Sequence, residues 1–168
     1  MDSALLHLVV QLRAPWLDDV MVSASALGSA GFVWLVIGVV GAIYPGHRAA
    51  AWRLLLAMLL TTAVVDGTIK PLVNRVRPFE ADPRIQLLGG RPASASFPSG
   101  HAARAFAGAV AATAVFPAAT WAFWPAALVI SFSRVYVGVH WPTDVIAGAV
   151  VGLVCAWFVL GRRVVLRA

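Results

Sequence analysis

The sequence predicts an all-α integral membrane bundle: about five transmembrane helices plus an N-terminal amphipathic interfacial helix, six helices in a single domain over residues 1–168. Two observations carry that prediction. Hydrophobic residues make up 61% of the chain and charged residues only 12%, with a mean hydropathy of +0.85. A soluble domain of this size would expose too much apolar surface, whereas helices in lipid need this balance. In addition, five apolar stretches are long enough, or nearly so, to span a hydrocarbon core of about 30 Å.

Residues 3–17 come first, with Leu5, Leu8, Val9, Leu12 and Trp16 at helical spacing and His7, Gln11 and Arg13 between them. That pattern fits a short helix lying in the interface over residues 1–19. With no basic n-region and Asp2 as its first charge, this start does not read as a signal peptide. The spans follow at roughly 20–43, 51–69, 102–120, 122–139 and 143–161. Only a tight VHWPT turn separates the last two, so they form a hairpin. Gly148/Gly152 and Ala107/Ala111 recur four apart, a pattern of close helix packing that can also serve dimerisation. The single cysteine, Cys155, lies in an apolar run and reads as a packing residue.

Orientation follows from the arginines. With five spans, one side carries Arg48, Arg53, Arg162, Arg163 and Arg167 and no acid, which makes it cytoplasmic together with the C-terminus. The 70–101 loop and the 133–144 region then share the extracytoplasmic side, with Trp16 and Trp141 at the outer interface and Trp52, Trp121 and Trp124 at the inner one. The net charge of +6 does not indicate nucleic acid, because no long basic stripe appears.

The polar chemistry sits on that outer face in three separated pieces. Lys70 and Arg77 flank the end of the second span in KPLVNRVRP; Pro98-Ser99-Gly100-His101 precedes the third; Ser133-Arg134, His140 and Asp144 lie around the hairpin turn. Interfacial snorkelling accounts for any one arginine but not for this convergence of ionisable groups, each costly near lipid.

The pattern K-x6-R-P, then P-S-G-H, then S-R-x5-H-x3-D resembles the three-part signature of the type-2 phosphatidic acid phosphatase superfamily of membrane lipid phosphatases. No signature position departs from it. The short chain, early amphipathic helix and brief loops look most like the small bacterial undecaprenyl-diphosphate phosphatases of that superfamily. The resemblance implies a multi-pass protein of the bacterial inner membrane, acting on a membrane lipid phosphate without metal or other cofactor.

Its implied site residues suit phosphoryl transfer. Lys70 supplies a point charge, and Arg77 and Arg134 each present a planar fork to two phosphate oxygens. Ser99, Gly100 and His101 open a helix whose N-terminal N–H groups attract anions; the lesser reading of Ser99 is as an N-cap only. The resemblance implies that His140 is the nucleophile, forming a phosphohistidine, with Asp144 fixing its tautomer. Asp144 also falls in a first helical turn, where it offsets the helix dipole; both roles can hold together. His101 would protonate the leaving oxygen and later activate water. The cations neutralise charge in this scheme, and among the seven acids Glu80 and Asp82 form no two-metal cage.

Other residues stay open. Asp66 lies one turn before Lys70 and would orient it. Arg104, one turn after His101, could grip a second phosphate, pair with Asp66 or snorkel outward. Arg75, Arg84 and Arg91 either line the mouth of the site or are solvated loop charges, and His7 and His47 read as surface residues. The leading expectation is hydrolysis of a polyprenyl diphosphate to its monophosphate. The alternatives are phosphatidic acid, phosphatidylglycerophosphate or another polyprenyl-linked phosphomonoester. A catalytically silent lipid binder predicts loss of a catalytic group, and none is lost; a soluble vanadate haloperoxidase does not fit five apolar spans.

Overall fold

The structure is a computed structural model and describes residues 1–161. Arg162, Arg163 and Arg167, on which part of the orientation argument rests, lie outside the described residues.

The N-terminal segment differs from the expected single helix over 3–17. Helix α1 spans Asp2–Val10 and α2 spans Pro15–Leu27. Proline at the first position of α2 lacks an N–H to continue α1 and is preorganised to start a new helix. The predicted span 20–43 is likewise broken, since α3 (Phe32–Ile43) follows α2 at a bend of 49°. The break lies at Ala30 and Gly31, both with positive φ (51° and 73°), which no helix can propagate.

Helix α4 (Arg48–Val64) runs through a π turn at Val65–Ile69 into the short α5 (Lys70–Val73), and α6 is one turn at Pro78–Ala81. Helices α7 (Gly100–Val115), α8 (Thr120–Tyr136) and α9 (Pro142–Leu160) complete the described fold. No strand occurs among the described residues, which hold more helical pieces than the six expected. Two helical stretches, Pro45–Ala81 and Pro142–Leu160, are long and apolar enough to cross a membrane, and the bent pair α2–α3 could be a third. Helices α7 and α8, at 16 and 17 residues, fall short of the ~20 residues that a perpendicular span needs.

Helix α7 forms the centre, packed by α3, α4, α8 and α9. Its alanines and glycines let neighbours approach closely. A Cβ on Gly108 would lie 2.2 Å from Trp34 Cγ, and Trp34 in turn meets Phe123 edge-on at 6.0 Å. Against α9 the contact is tighter. A Cβ on Gly148 would lie 2.4 Å from the Ser99 carbonyl oxygen, and one on Gly152 would lie 2.0 Å from that of Ala103. The four-apart glycines thus dock α9 onto α7 within one chain. Thr61, Thr113 and Ser133 return their hydroxyls to carbonyls of their own helices, as buried hydroxyls in an apolar bundle must. On the outside, Leu59, Leu128, Ile146 and Phe158 are more than half exposed, a surface suited to lipid.

The N-terminal helices are tied to the polar end of the bundle. Arg13 donates to the carbonyls of Tyr136 and Gln86, and the Tyr136 hydroxyl donates to Asp18. His7, expected only at the surface, meets Asp82 at 2.9 Å and joins α1 to the 79–97 loop.

Candidate active site

The three sequence pieces meet at one end of α7. Asn74 ends α5 in the left-handed conformation (φ 44°) and turns the chain outward. The residue before Pro78 is then held extended, with Arg77 at φ −79°, ψ 153°. That geometry sends the Arg77 guanidinium inward, where it is 3% exposed. Its Nε donates to the Ser94 carbonyl and its Nη1 to the Val139 carbonyl, each at 2.8 Å. Lys70 Nζ lies 2.7 Å from Asp66 Oδ1 and donates to Ser94 Oγ at 3.1 Å. Asp66 therefore stands at the predicted i,i+4 distance. Its other oxygen takes Arg104 Nη1 at 2.8 Å, so one carboxylate spaces two cations.

The turn after α8 presents His140. Gly138 adopts φ 83°, and the N–H groups of Val139 and His140 both return to the Arg134 carbonyl at 3.2 Å. His140 is 2% exposed and Asp144 is fully buried. His140 Nδ1 lies 3.5 Å from Asp144 Oδ2, long for a hydrogen bond, and has no closer partner. Charge developing on the imidazole would shorten that distance. A proton on Nδ1, facing the carboxylate, leaves the Nε2 lone pair free on the side of Arg77, whose Nη1 is 3.5 Å away. Burial pushes the His140 pKa down to about 4; Asp144 opposes the shift, and the Arg77 and Arg134 charges add to it. A value that low leaves the ring neutral near pH 7.

Asp144 takes the first-turn capping position considered for it and also lies beside the His140 ring. Oδ2 accepts from the Trp141 N–H at 2.9 Å, capping α9, and from Ser96 Oγ at 2.5 Å, while facing His140. Ser99 caps α7, its Oγ accepting from the Ala102 N–H at 3.4 Å. The cavity wall there is made by Gly100 and His101 instead. Arg134 donates to Ser25 Oγ, its Nε is buried without a partner, and His101 Nε2 lies 3.5 Å from Ser29 Oγ.

Lys70, Arg77, Gly100, His101, Arg134 and His140 line one cavity of about 340 Å³, together with Asp66, Arg104, Pro92 and Ser94. A second cavity of about 380 Å³ shares His101, Arg134 and Pro92 with it and is lined further by Val22, Val137 and Val139 but also by Ser25, Ser29 and Arg91. The site is therefore a cationic chamber beside a cavity of mixed polar and apolar lining. Such a chamber suits a phosphate attached to a lipid.

Sequence reasoning missed Ser94 and Ser96, and left Arg75 open between the mouth of the site and a solvated loop charge. The serines carry no signal of their own. Arg75 had one: two residues from Arg77 in a segment that Pro78 keeps extended, it faces the same side. It donates to Asp144 Oδ1 at 2.6 Å. Arg84 is a solvated loop charge paired with Asp82, whereas Arg91, paired with Glu80 and largely exposed, also lines the cavity shared with His101 and Arg134.

The PAP2 superfamily profile matches residues 50–165, a stretch that contains all three pieces of the site. The chain belongs to the PAP2 superfamily. This PAP2 chain is 36% identical to the undecaprenyl-diphosphatase of Sulfolobus acidocaldarius over 138 residues, 81% of the chain and 66% of that relative's length. Aquifex aeolicus LpxE superposes with a TM-score of 0.81 at 30% identity, covering 95% of this chain and 94% of that one. The transmembrane PAP2-type phosphatidylglycerolphosphate phosphatase from Bacillus subtilis superposes at 0.77 with 28% identity, covering 95% and 83%. With its apolar helices and these relatives, the PAP2 chain is a membrane protein.

Proposed function

We propose that this PAP2 chain is a metal-independent lipid phosphatase that converts a polyprenyl diphosphate to its monophosphate through a phosphohistidine. The observation that carries the reading is the buried His140, with Asp144 on the Nδ1 side and Nε2 facing a chamber of cations. In the first step the Nε2 lone pair attacks the terminal phosphorus, the P–O bond to the leaving group breaks, and His101 gives that oxygen a proton. Burial and the neighbouring cations push the His101 pKa down to about 2, so it carries that proton only once the anionic substrate offsets those charges. Charge on the equatorial oxygens is met by Lys70, Arg77, Arg134 and the N–H groups that open α7. In the second step His101 takes a proton from water, whose oxygen attacks phosphorus; the P–N bond breaks and releases phosphate.

Arg104 supports the diphosphate choice. It is 8% exposed, lines the chamber one turn beyond His101, and is held by Asp66 while its Nε has no partner. A guanidinium there would hold the departing phosphate, and the Val22, Val137 and Val139 side of the second cavity would take the start of the tail. The similarity to an undecaprenyl-diphosphatase points the same way. Phosphatidylglycerophosphate, the lipid for which the Bacillus subtilis phosphatase is named, is the second reading and would use the same residues. For topology we propose a single membrane-embedded domain with five spans, the bent α2–α3 pair being the first, and the site on the extracytoplasmic side.

The test is phosphate release by purified protein in detergent with EDTA present, on undecaprenyl diphosphate, phosphatidic acid and phosphatidylglycerophosphate. Turnover should survive EDTA and vanish in His140→Ala. Arg104→Ala should slow the diphosphate at least about tenfold more than the monophosphates, a difference of about 1.4 kcal/mol in transition-state binding. Equal loss on all three lipids would remove the argument for a diphosphate, and activity in His140→Ala would refute the nucleophile.

A further inference from the structure

Arg75 is a loop cation whose guanidinium makes one continuous set of contacts. Its Nη1 donates to Asp144 Oδ1 at 2.6 Å and to Thr143 Oγ1 at 2.8 Å, and its Nη2 donates to Asp2 Oδ2 at 2.7 Å. Asp2 Oδ1 also accepts the Thr143 N–H at 3.0 Å. The plane is held over the Trp141 ring, with the guanidinium carbon 5.4 Å from its centre. The Arg75 backbone is pinned as well, because its carbonyl accepts from the Ser96 N–H at 2.8 Å. Ser96 Oγ in turn donates to the other oxygen of the same Asp144 carboxylate. Asp144 is fully buried, and without a cation its charge would be costly.

We propose that Arg75 is a positioning residue for the His140–Asp144 pair, and that the N-terminal helix, through Asp2, is its outer anchor. The proposal rests on the phosphohistidine reading above. Arg75 Nη1 holds Oδ1 of Asp144 and Ser96 Oγ holds Oδ2, so that Oδ2 is aimed at His140 Nδ1. Arg75 also divides the carboxylate's negative charge between itself and the imidazole, which limits how strongly Asp144 favours imidazolium. The other charged or titratable groups facing His140 are Arg77 from the loop, Arg134 from α8 and His101 from α7. Docking of α1 is thereby linked to the geometry of the reacting pair, although Asp2 lies outside all three motifs.

The test combines kinetics with a titration that needs no turnover. Arg75→Ala, Arg75→Lys and Asp2→Asn would be assayed on phosphatidic acid and undecaprenyl diphosphate in detergent. Histidine labelled with ¹⁵N would report the His140 ring, its signal assigned by loss in His140→Gln. Arg75→Ala should lower kcat about 10–100-fold with KM within about twofold, a size typical of partners that orient a reacting group. Its His140 midpoint should rise by about 1 unit, since the carboxylate is no longer shared. Arg75→Lys should recover most of the titration shift but only part of kcat, because a single ammonium nitrogen lacks the planar fork that directs Nη1 to Asp144 and Nη2 to Asp2. Asp2→Asn should lower kcat several-fold. An unmoved His140 midpoint in Arg75→Ala, with only thermal stability lost, would make Arg75 a clamp for α1 and overturn the proposal. If His140→Gln stays active the nucleophile reading fails, while the titration still tests the Arg75–Asp144–His140 coupling.

Discussion

Replacing Gly148 with alanine tests whether the α7–α9 contact sets the spacing of the reacting groups. The added Cβ would sit 2.4 Å from the Ser99 carbonyl oxygen, about 1 Å inside ordinary contact. The obstacle is backbone, so no side chain can swing away. Relief must come from moving α9, whose first turn carries Asp144, away from α7, whose first turn carries Gly100 and His101. The Ser99 N–H, which donates to the Asp144 carbonyl at 2.9 Å, would be stretched by the same shift. Overpacking of this kind costs about 1–3 kcal/mol of stability. A displacement near 1 Å between reacting groups costs on the order of 100-fold in rate. Phosphate release by Gly148→Ala should therefore fall about 100-fold, with a fall in thermal midpoint measured in the same detergent. Gly46→Ala, where nothing lies within 4 Å of the new atom, is the control and should match the parent in both. Full activity and an unchanged midpoint in Gly148→Ala would refute the claim that this contact holds the two halves of the site in register.

Three further outcomes follow from named contacts. His140 in ¹⁵N-histidine spectra should titrate near 4. An unfolded chain would bind that proton at about 6.5, so its share of stability should grow as pH rises from about 4 to about 6.5 and stay level above; a midpoint at 6.5 would contradict the burial argument. Gly138→Ala should lower the thermal midpoint, because φ 83° costs a non-glycine residue about 1–2 kcal/mol and the new Cβ would lie 2.9 Å from Ile85 Cγ2. An unchanged midpoint would show that this turn relaxes freely. Asp66→Asn frees both Lys70 and Arg104, and kcat/KM should fall roughly tenfold, mainly through KM; a loss confined to kcat would mean the two cations act only in the transition state.

Much was legible in the chain because the informative signals are local. Composition and the length of the apolar runs depend only on what lipid solvates, and they placed α4, α8 and α9 close to where they lie. The i,i+4 step from Asp66 to Lys70 and that from His140 to Asp144 each lie in one short stretch of backbone, so helix and turn geometry brings each pair together. Hydropathy could not reveal the breaks. Ala30 and Gly31 bend α2 from α3 within an unbroken apolar run, and Pro15 divides a pattern whose leucine spacing continues across it.

What the sequence by itself determined is a helical membrane chain carrying three cations, two histidines and a carboxylate in three motifs, with the glycine spacing that permits close packing. Tertiary structure decided which charges meet. Arg75, Arg84 and Arg91 look alike along the chain, yet only Arg75 reaches the buried Asp144, while the other two pair with acids at the surface. It also decided that Gly148 and Gly152 receive α7 of the same chain, and that Asp66 is shared between Lys70 and Arg104. The reason is physical: a residue's helical tendency and hydropathy are properties of its own segment, whereas the partner of a buried charge is whatever polar group another segment leaves within about 3 Å of it.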